Sequence, residues 1–229
     1  MDYARLGQSG LSVSKICLGA MMFGGRTSEA DAASIIAAAR GAGVNFIDTA
    51  DAYNNGESER VVGRAIKPER DSWVLATKVA NAMGSSGGPN NGGLGRKWLI
   101  QACDASLTRL GADYIDIYYL HKEDIGTPLE ETALALKHLL DQGKIRFFGV
   151  TEVFAFDTDH KMLAHALPEN HFDVLMVGLN LLNPSARKSV FPLTLNHDVG
   201  TLIMFALRGA LNSTANTRDA AAELLSKKR

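Results

Sequence analysis

Four polar residues stand at or just beyond the ends of three apolar, strand-like segments. Val44–Ile47 runs into Asp48, with Tyr53 five residues on; Trp73–Thr77 runs into Lys78; Tyr114–Leu120 runs into His121. Each segment is followed by a loop and then a helix-like stretch. In a parallel α/β barrel all strand C-termini open onto one face, and catalytic groups collect there. An Asp, a Tyr, a Lys and a His converging on that face can protonate a carbonyl oxygen. When a hydride reaches a carbonyl carbon, negative charge builds on the oxygen, and a proton donor placed there lowers the barrier. A free tyrosine, with a pKa of about 10, is poorly matched to neutral pH. A neighbouring lysine cation favours the tyrosinate and lowers that pKa. Asp48 would hold Lys78 charged and in place, and His121 would orient the substrate oxygen.

Taken singly, each residue has a plainer reading. An Asp after a strand is most often a helix cap or turn residue. Tyr53 alone reads as a half-buried aromatic, Lys78 as a solvated cation, His121 as a satisfied polar residue at a core edge. Their joint placement at three successive strand ends outweighs the plainer readings, which would all have to coincide. A Schiff-base role for Lys78 is the weaker alternative, because a lysine paired with Asp48 stays protonated and is a poor nucleophile.

Strand and helix signals alternate along the chain, which argues for a parallel sheet. A hairpin, Tyr3–Leu6 and Leu11–Val13, turns at Ser9–Gly10. Barrel strands are expected at Lys15–Leu18 (ending at Gly19), Val44–Ile47, Trp73–Thr77, Tyr114–Leu120, Ile145–Val150, Phe172–Leu179 and Thr201–Leu207. Helices are expected at Ser28 to Gly41–Gly43, with a Ser28/Asp31 capping pattern, and at Glu57–Ile66 and Arg96–Leu110. Further ones run from Thr127 as N-cap with Pro128 in the first turn to Gly143, over Asp159–Leu167, from Pro184–Ser185, and over Thr217–Lys227. That makes seven strands where a full barrel has eight, and after Leu211 the sequence is polar and then helical. The expected fold is therefore α/β, a (β/α)8 TIM-barrel type lacking the eighth strand and final helices, in one domain over residues 1–229.

The chain of 229 residues is 46% hydrophobic with a net charge of −1, a balance that suits a globular domain and offers nothing to nucleic acid or a membrane surface. The two cysteines, Cys17 and Cys103, make no disulfide framework, and the N-terminus carries no basic and apolar leader, so a cytoplasmic setting is expected. The longest apolar run, Leu202–Leu207, is too short to span a bilayer. The loop Asn81–Gly95 holds six glycines but no Gly-Lys-Ser/Thr ending, so it reads as a loop bordering the substrate mouth or a flexible linker. His160, His165 and His171, with Asp157 and Asp159, match no metal-ligand spacing and read as a surface helix.

Several runs carry a family resemblance. Gly43-Val-Asn-Phe-Ile-Asp-Thr-Ala-Asp-Ala-Tyr53, continuing Asn54-Asn-Gly-Glu-Ser-Glu59, resembles the signature of the aldo-keto reductases. So do Ala76-Thr-Lys78, Asp113 to His121, Thr127-Pro-Leu-Glu-Glu-Thr132 and Gly143-Lys-Ile-Arg146. The resemblance covers about residues 1–210 and implies a (β/α)8 barrel, NADP(H) more often than NAD(H), a small-molecule carbonyl substrate, and a tetrad carried by Asp48, Tyr53, Lys78 and His121 with the tyrosine as general acid. It places Gly19, Asp48, Thr151, Glu152, Met176 and Phe205 at the cofactor. Thr151-Glu152 stand where many members carry Ser-Asn, Met176 where a Gln is common, and Phe205 where an aromatic ring stacks on the nicotinamide. The adenosine-phosphate segment that follows strand eight in the family has no counterpart, and Arg208, Arg218, Lys227, Lys228 and Arg229 read as solvated charges. A non-catalytic binding or regulatory member of the same fold, and a homo-oligomer that covers exposed strand edges, are compatible with these departures.

Overall fold

The computed structural model describes residues 1–83, 88–167, 172–207 and 213–226. An antiparallel hairpin, β1 (Tyr3–Arg5) and β2 (Ser12–Ser14), precedes seven parallel strands. These are β3 (Leu18–Gly19), β4 (Phe46–Asp48), β5 (Val74–Val79), β6 (Ile115–Leu120), β7 (Ile145–Thr151), β8 (Val174–Gly178) and β9 (Gly200–Met204). They pair in sequence order, so the sheet curls into part of a barrel with β3 and β9 as its edges. Between them lie α1 (Glu29–Gly41), α2 (Glu57–Ile66), α3 (Arg96–Leu110), α4 (Leu129–Asp141), α5 (Lys161–Ala166), α6 (Ala186–Ser189) and α7 (Phe191–His197); α8 (Thr214–Ser226) follows β9. Among the described residues no eighth strand pairs with either edge.

Strand periodicity divides the core in two. Leu75, Val79, Tyr118, Leu120, Val150, Leu175 and Val177 face outward and pack with Ile36, Val61, Leu99, Leu136 and Leu139 of the helices and with Val190 between α6 and α7. Phe46, Val74, Ala76, Ile117, Tyr119, Val174 and Met176 face inward. Leu6 and Val13 of the hairpin join this inner set and plug the barrel floor. The same parity turns Asp48 (two after Phe46), Lys78 (two after Ala76) and His121 (two after Tyr119) into the interior at the open rim. Close packing behind them depends on Gly63 of α2, where a Cβ would come within 2.1 Å of the Leu110 carbonyl oxygen.

Several sequence boundaries shift. Asp48 and Lys78 lie inside strands, because ladder-like bonds continue past them: the Thr49 N–H donates to the Ala76 carbonyl and the Asp51 N–H to the Lys78 carbonyl. β9 stops at Met204 rather than Leu207, since Phe205 adopts φ 59°, a left-handed conformation that cannot extend a strand. The Ser28 cap is present, accepting from the Asp31 N–H at 3.2 Å. The cap of α4 is Pro128 instead of Thr127, whose hydroxyl donates to Asp124 at 2.7 Å. Leu211, Gly84, Gly87, His171, Arg208, Lys227, Lys228 and Arg229 lie outside the described residues; Arg218 is exposed on α8.

The expected helix forms as α5, but the surface placement of His160, the residue before it, is corrected. His160 is fully buried, with Nδ1 2.9 Å from both Glu152 carboxyl oxygens and Nε2 2.8 Å from the Ser185 hydroxyl. Asp157 caps α5, accepting from the Lys161 and Met162 amides at 2.9 Å each. Among the described residues no cluster of three His, Cys, Asp or Glu side chains could hold a metal ion, and no helix is long and apolar enough to cross a membrane.

Candidate active site

The Lys78 ammonium is the centre of the site. It is buried and donates to three oxygens: Asp48 Oδ1 at 2.6 Å, the Thr49 carbonyl at 2.8 Å and the Tyr53 hydroxyl at 3.1 Å. β5 supplies the lysine, the end of β4 supplies Asp48 and Thr49, and the turn after β4 supplies Tyr53. Burial pulls the ammonium's pKa down, but Asp48 and Tyr53 outweigh it and hold Lys78 above its ordinary value, so it stays charged.

Tyr53 is half-buried and stands edge-on to His121, with ring centroids 5.7 Å apart. Its acidity departs from the sequence expectation. Burial raises the phenol's pKa and outweighs the downward pull of Lys78, so the net shift is upward. Lys78 is thus the group that limits a penalty set by desolvation. Burial first, then the Lys78 and Lys122 cations, push the His121 imidazole down to about 3, so it is neutral at physiological pH. Asn81 Nδ2, 3.3 Å from Nδ1, donates to it, and with Nδ1 accepting, the proton of the neutral ring sits on Nε2, a donor for a bound oxygen.

A cavity of about 360 Å³ opens beside this group, in the gap between the edge strands β3 and β9. It brings together Gly19, Asp48, Tyr53, Met176 and Phe205 with Cys17, Leu202 and Met204. Lys78 and His121 are not among its lining residues; both meet Tyr53, Lys78 through the 3.1 Å hydrogen bond and His121 through the edge-on ring contact. Thr151 and Glu152 are not part of its lining. Thr151 is buried at the end of β7, and its hydroxyl donates to the Glu152 carbonyl at 3.3 Å. Glu152 turns away from the cavity: its carboxylate accepts from the Gly178 N–H at 2.7 Å and meets His160, tying β7 to β8.

Other residues that shape the rim were not singled out from the sequence. Asn54, at φ 49°, donates from Nδ2 to the carbonyls of Met21 (3.1 Å) and Phe23 (2.8 Å), pinning the β3–α1 loop over the cavity. The Asn-Asn-Gly turn at 54–56 was the available signal. Asp124 accepts from the Leu94 and Gly126 amides and the Thr127 hydroxyl, and these bonds hold its carboxyl below the usual range. Ser58 and Thr49 share a 2.8 Å hydroxyl contact, and Ser58 stands 2.7 Å from the Ala20 carbonyl, so α2 is fastened to both β3 and β4.

Comparison with known proteins gives a consistent answer. The solved structure of aldo-keto reductase AKR11C1 from Bacillus halodurans (holo form) superposes with a TM-score of 0.79 at 32% identity, covering 89% of this chain and 65% of that one. Aldo-keto reductase YhdN of Bacillus subtilis is 35% identical over 218 residues, 92% of this chain and 64% of its own length. A probable voltage-gated potassium channel subunit beta of Arabidopsis thaliana is 40% identical over 156 residues, 66% of this chain and 47% of its own. The chain thus spans about half to two-thirds of the length of these relatives. The sequence model of the Aldo/keto reductase family matches residues 15–229. With seven parallel strands in sequence order and an Asp, a Tyr, a Lys and a His gathered at their open rim, the chain belongs to the aldo/keto reductase family.

Proposed function

We propose that this protein reduces an aldehyde or ketone to an alcohol with a nicotinamide cofactor, NADPH ahead of NADH. The single observation that carries the reading is the Lys78 ammonium poised between Asp48 and the Tyr53 hydroxyl at the wall of a cavity. The cavity also suits the cofactor. Asp48 Oδ2 is buried with no hydrogen-bond partner among the described residues, beside apolar walls from Met176, Leu202, Met204 and Phe205. An orphaned acceptor next to an apolar slot fits a flat ring carried on a hydroxylated sugar. When bound, that group supplies the hydride to the carbonyl carbon.

The remaining chemistry belongs to the chain. Tyr53 gives its phenolic proton to the carbonyl oxygen as charge develops there, and the resulting phenolate is stabilised by Lys78 3.1 Å away. Asp48 keeps Lys78 charged and fixed. Neutral His121 donates from Nε2 to the same oxygen and sets its approach. Solvent then returns a proton to Tyr53. The small-molecule carbonyl substrate would meet Tyr53 in the cavity lined by Gly19, Asp48, Met176 and Phe205.

The relatives named as channel subunits favour a second reading, in which the same fold serves as a binding or regulatory subunit. The test is NADPH oxidation with a panel of aldehydes and ketones, in wild type and Tyr53→Phe. Turnover that depends on Tyr53 supports the reductase. Micromolar cofactor binding without turnover, about −8 kcal/mol, supports the subunit reading.

A further inference from the structure

Asp51 lies between Asp48 and Tyr53 in the sequence, and no step above uses it. It is fully buried, and its N–H donates to the Lys78 carbonyl at 3.2 Å, so its backbone belongs to the turn that carries the tetrad. Neither carboxyl oxygen has a hydrogen-bond partner of full geometry among the described residues. The obvious counter-ion is already engaged. Arg109 Nε stands 2.5 Å from Glu59, itself fully buried, and Nη2 stands 3.1 Å from Ser106. Thr77 donates to the other Glu59 oxygen at 2.6 Å. Two buried carboxyls therefore lie near one guanidinium, and only Glu59 is bonded to it. A buried carboxyl without a partner is most stable neutral.

We propose that Asp51 is a buried proton-holding residue whose charge state fine-tunes the acidity of Tyr53. This inference rests on the reductase reading for its catalytic consequence. The groups facing Asp51 are Glu59 from α2, Arg109 from α3, Lys78 from β5, Tyr118 from β6, and Tyr53 from its own segment. Burial and then Glu59 push its carboxyl up to about 7, against the Ala52 amide, Arg109 and Lys78. Neutral Asp51 leaves the field of the Lys78 ammonium to Asp48 and Tyr53. Ionised Asp51 adds a negative charge behind the tetrad and raises the Tyr53 pKa, a smaller contribution than those of burial, Lys78 and Asp48. A weaker phenolic acid slows proton donation, so reduction slows as pH rises through about 7. Asp51 touches no substrate; it acts through Tyr53 as a positioning residue.

The test has a readout that needs no turnover. Tyr53 ionisation is followed by near-ultraviolet difference absorbance, as the component lost in Tyr53→Phe. In Asp51→Asn, isosteric and permanently neutral, Tyr53 is expected to ionise at lower pH than in wild type; an unchanged midpoint overturns the proposal. Where turnover is found, wild-type kcat is expected to fall about threefold to tenfold across neutral pH and to stay flat in Asp51→Asn. An inflection that persists in the variant overturns it. A shifted Tyr53 midpoint with no turnover at any pH supports the electrostatic link while removing the reductase reading. Should Asp51→Asn fail to fold, isotope-labelled aspartate NMR on the wild type decides: one carboxyl titrating near neutrality supports the proposal, and none doing so overturns it.

Discussion

The Lys78 ammonium lies 3.1 Å from the Tyr53 hydroxyl and 4.6 Å from the centre of the Tyr53 ring. One cation thus addresses both the oxygen that gives up a proton and the π face behind it. Because burial raises the phenol's pKa, proton donation depends on this cation.

Removing the hydroxyl alone is the sharpest cut. Tyr53→Phe is expected to lower kcat for carbonyl reduction by about 10²–10⁴-fold, the usual worth of a positioned general acid. NADPH affinity, read by fluorescence of Trp73 and Trp98, is expected to stay within about twofold. Full turnover by the variant would remove Tyr53 from the mechanism.

The Asp48–Lys78 pair carries a stability signature as well. Lys78→Met leaves Asp48 buried and uncompensated, and is expected to cost about 3–5 kcal/mol in urea denaturation. The double variant Asp48→Leu/Lys78→Met, which takes both charges out of the interior, is expected to regain most of that loss while remaining inactive. A double variant as unstable as the single one would show that the pair's worth lies in packing.

His121 makes a pH prediction. Its folded pKa of about 3 lies below the ordinary value of 6.5. The unfolded chain therefore binds a proton at this position before the folded one does. The contribution of neutral His121 to stability is fully present above pH 6.5 and is lost as pH falls towards about 3. In histidine NMR titrations the resonance absent from His121→Asn should show no step between pH 5 and 8. A step there would mean that the ring is charged during turnover.

The Glu152–His160–Ser185 chain behaves as a strut. His160→Ala leaves the buried Glu152 carboxylate and the Ser185 hydroxyl short of a partner and opens a cavity. The cost is expected to be about 2–4 kcal/mol. The His160 ring stacks on Phe154 with centroids 5.8 Å apart, and Phe154 stacks on Phe205 at 6.0 Å. The variant should therefore also weaken cofactor binding, measured by NADPH titration at a temperature where it remains folded. Unchanged affinity would separate the strut from the cavity wall.

The rim of the barrel was readable because it follows from parity. Once Phe46, Ala76 and Tyr119 are inward, Asp48, Lys78 and His121 are inward too, and period-two alternation is visible in sequence. The Ser28 cap was readable for the same kind of reason, since its partner is three residues away. The role of Glu152 was not. Its partners, His160 and Gly178, come from a left-handed residue before α5 and from the end of β8, so the contact exists only after two strands have paired. The net rise in the Tyr53 pKa was likewise hidden, because the sequence names the neighbouring cation but not the depth of burial that opposes it. Strand ends shifted where a single backbone angle, such as that of Phe205, decided the matter.

Each strand of the sheet pairs with its sequence neighbour, so most of the barrel is built from local pieces that can assemble one after another. The ends are fastened at the floor by the hairpin: Arg5 bonds Asp198 at 2.6 Å across 193 positions, Gln8 donates to the His197 carbonyl, and the Gln8 amide to that of Asp198. That clasp is exposed and polar. In hydrogen exchange the β9 edge should open well before β5 and β6. Opening there frees Leu202, Met204 and Phe205, one whole wall of the cavity, while Asp48, Lys78 and His121 stay folded. Exchange that is fast at β9 and slow at β5 and β6 would separate a durable chemical centre from a ligand wall that opens.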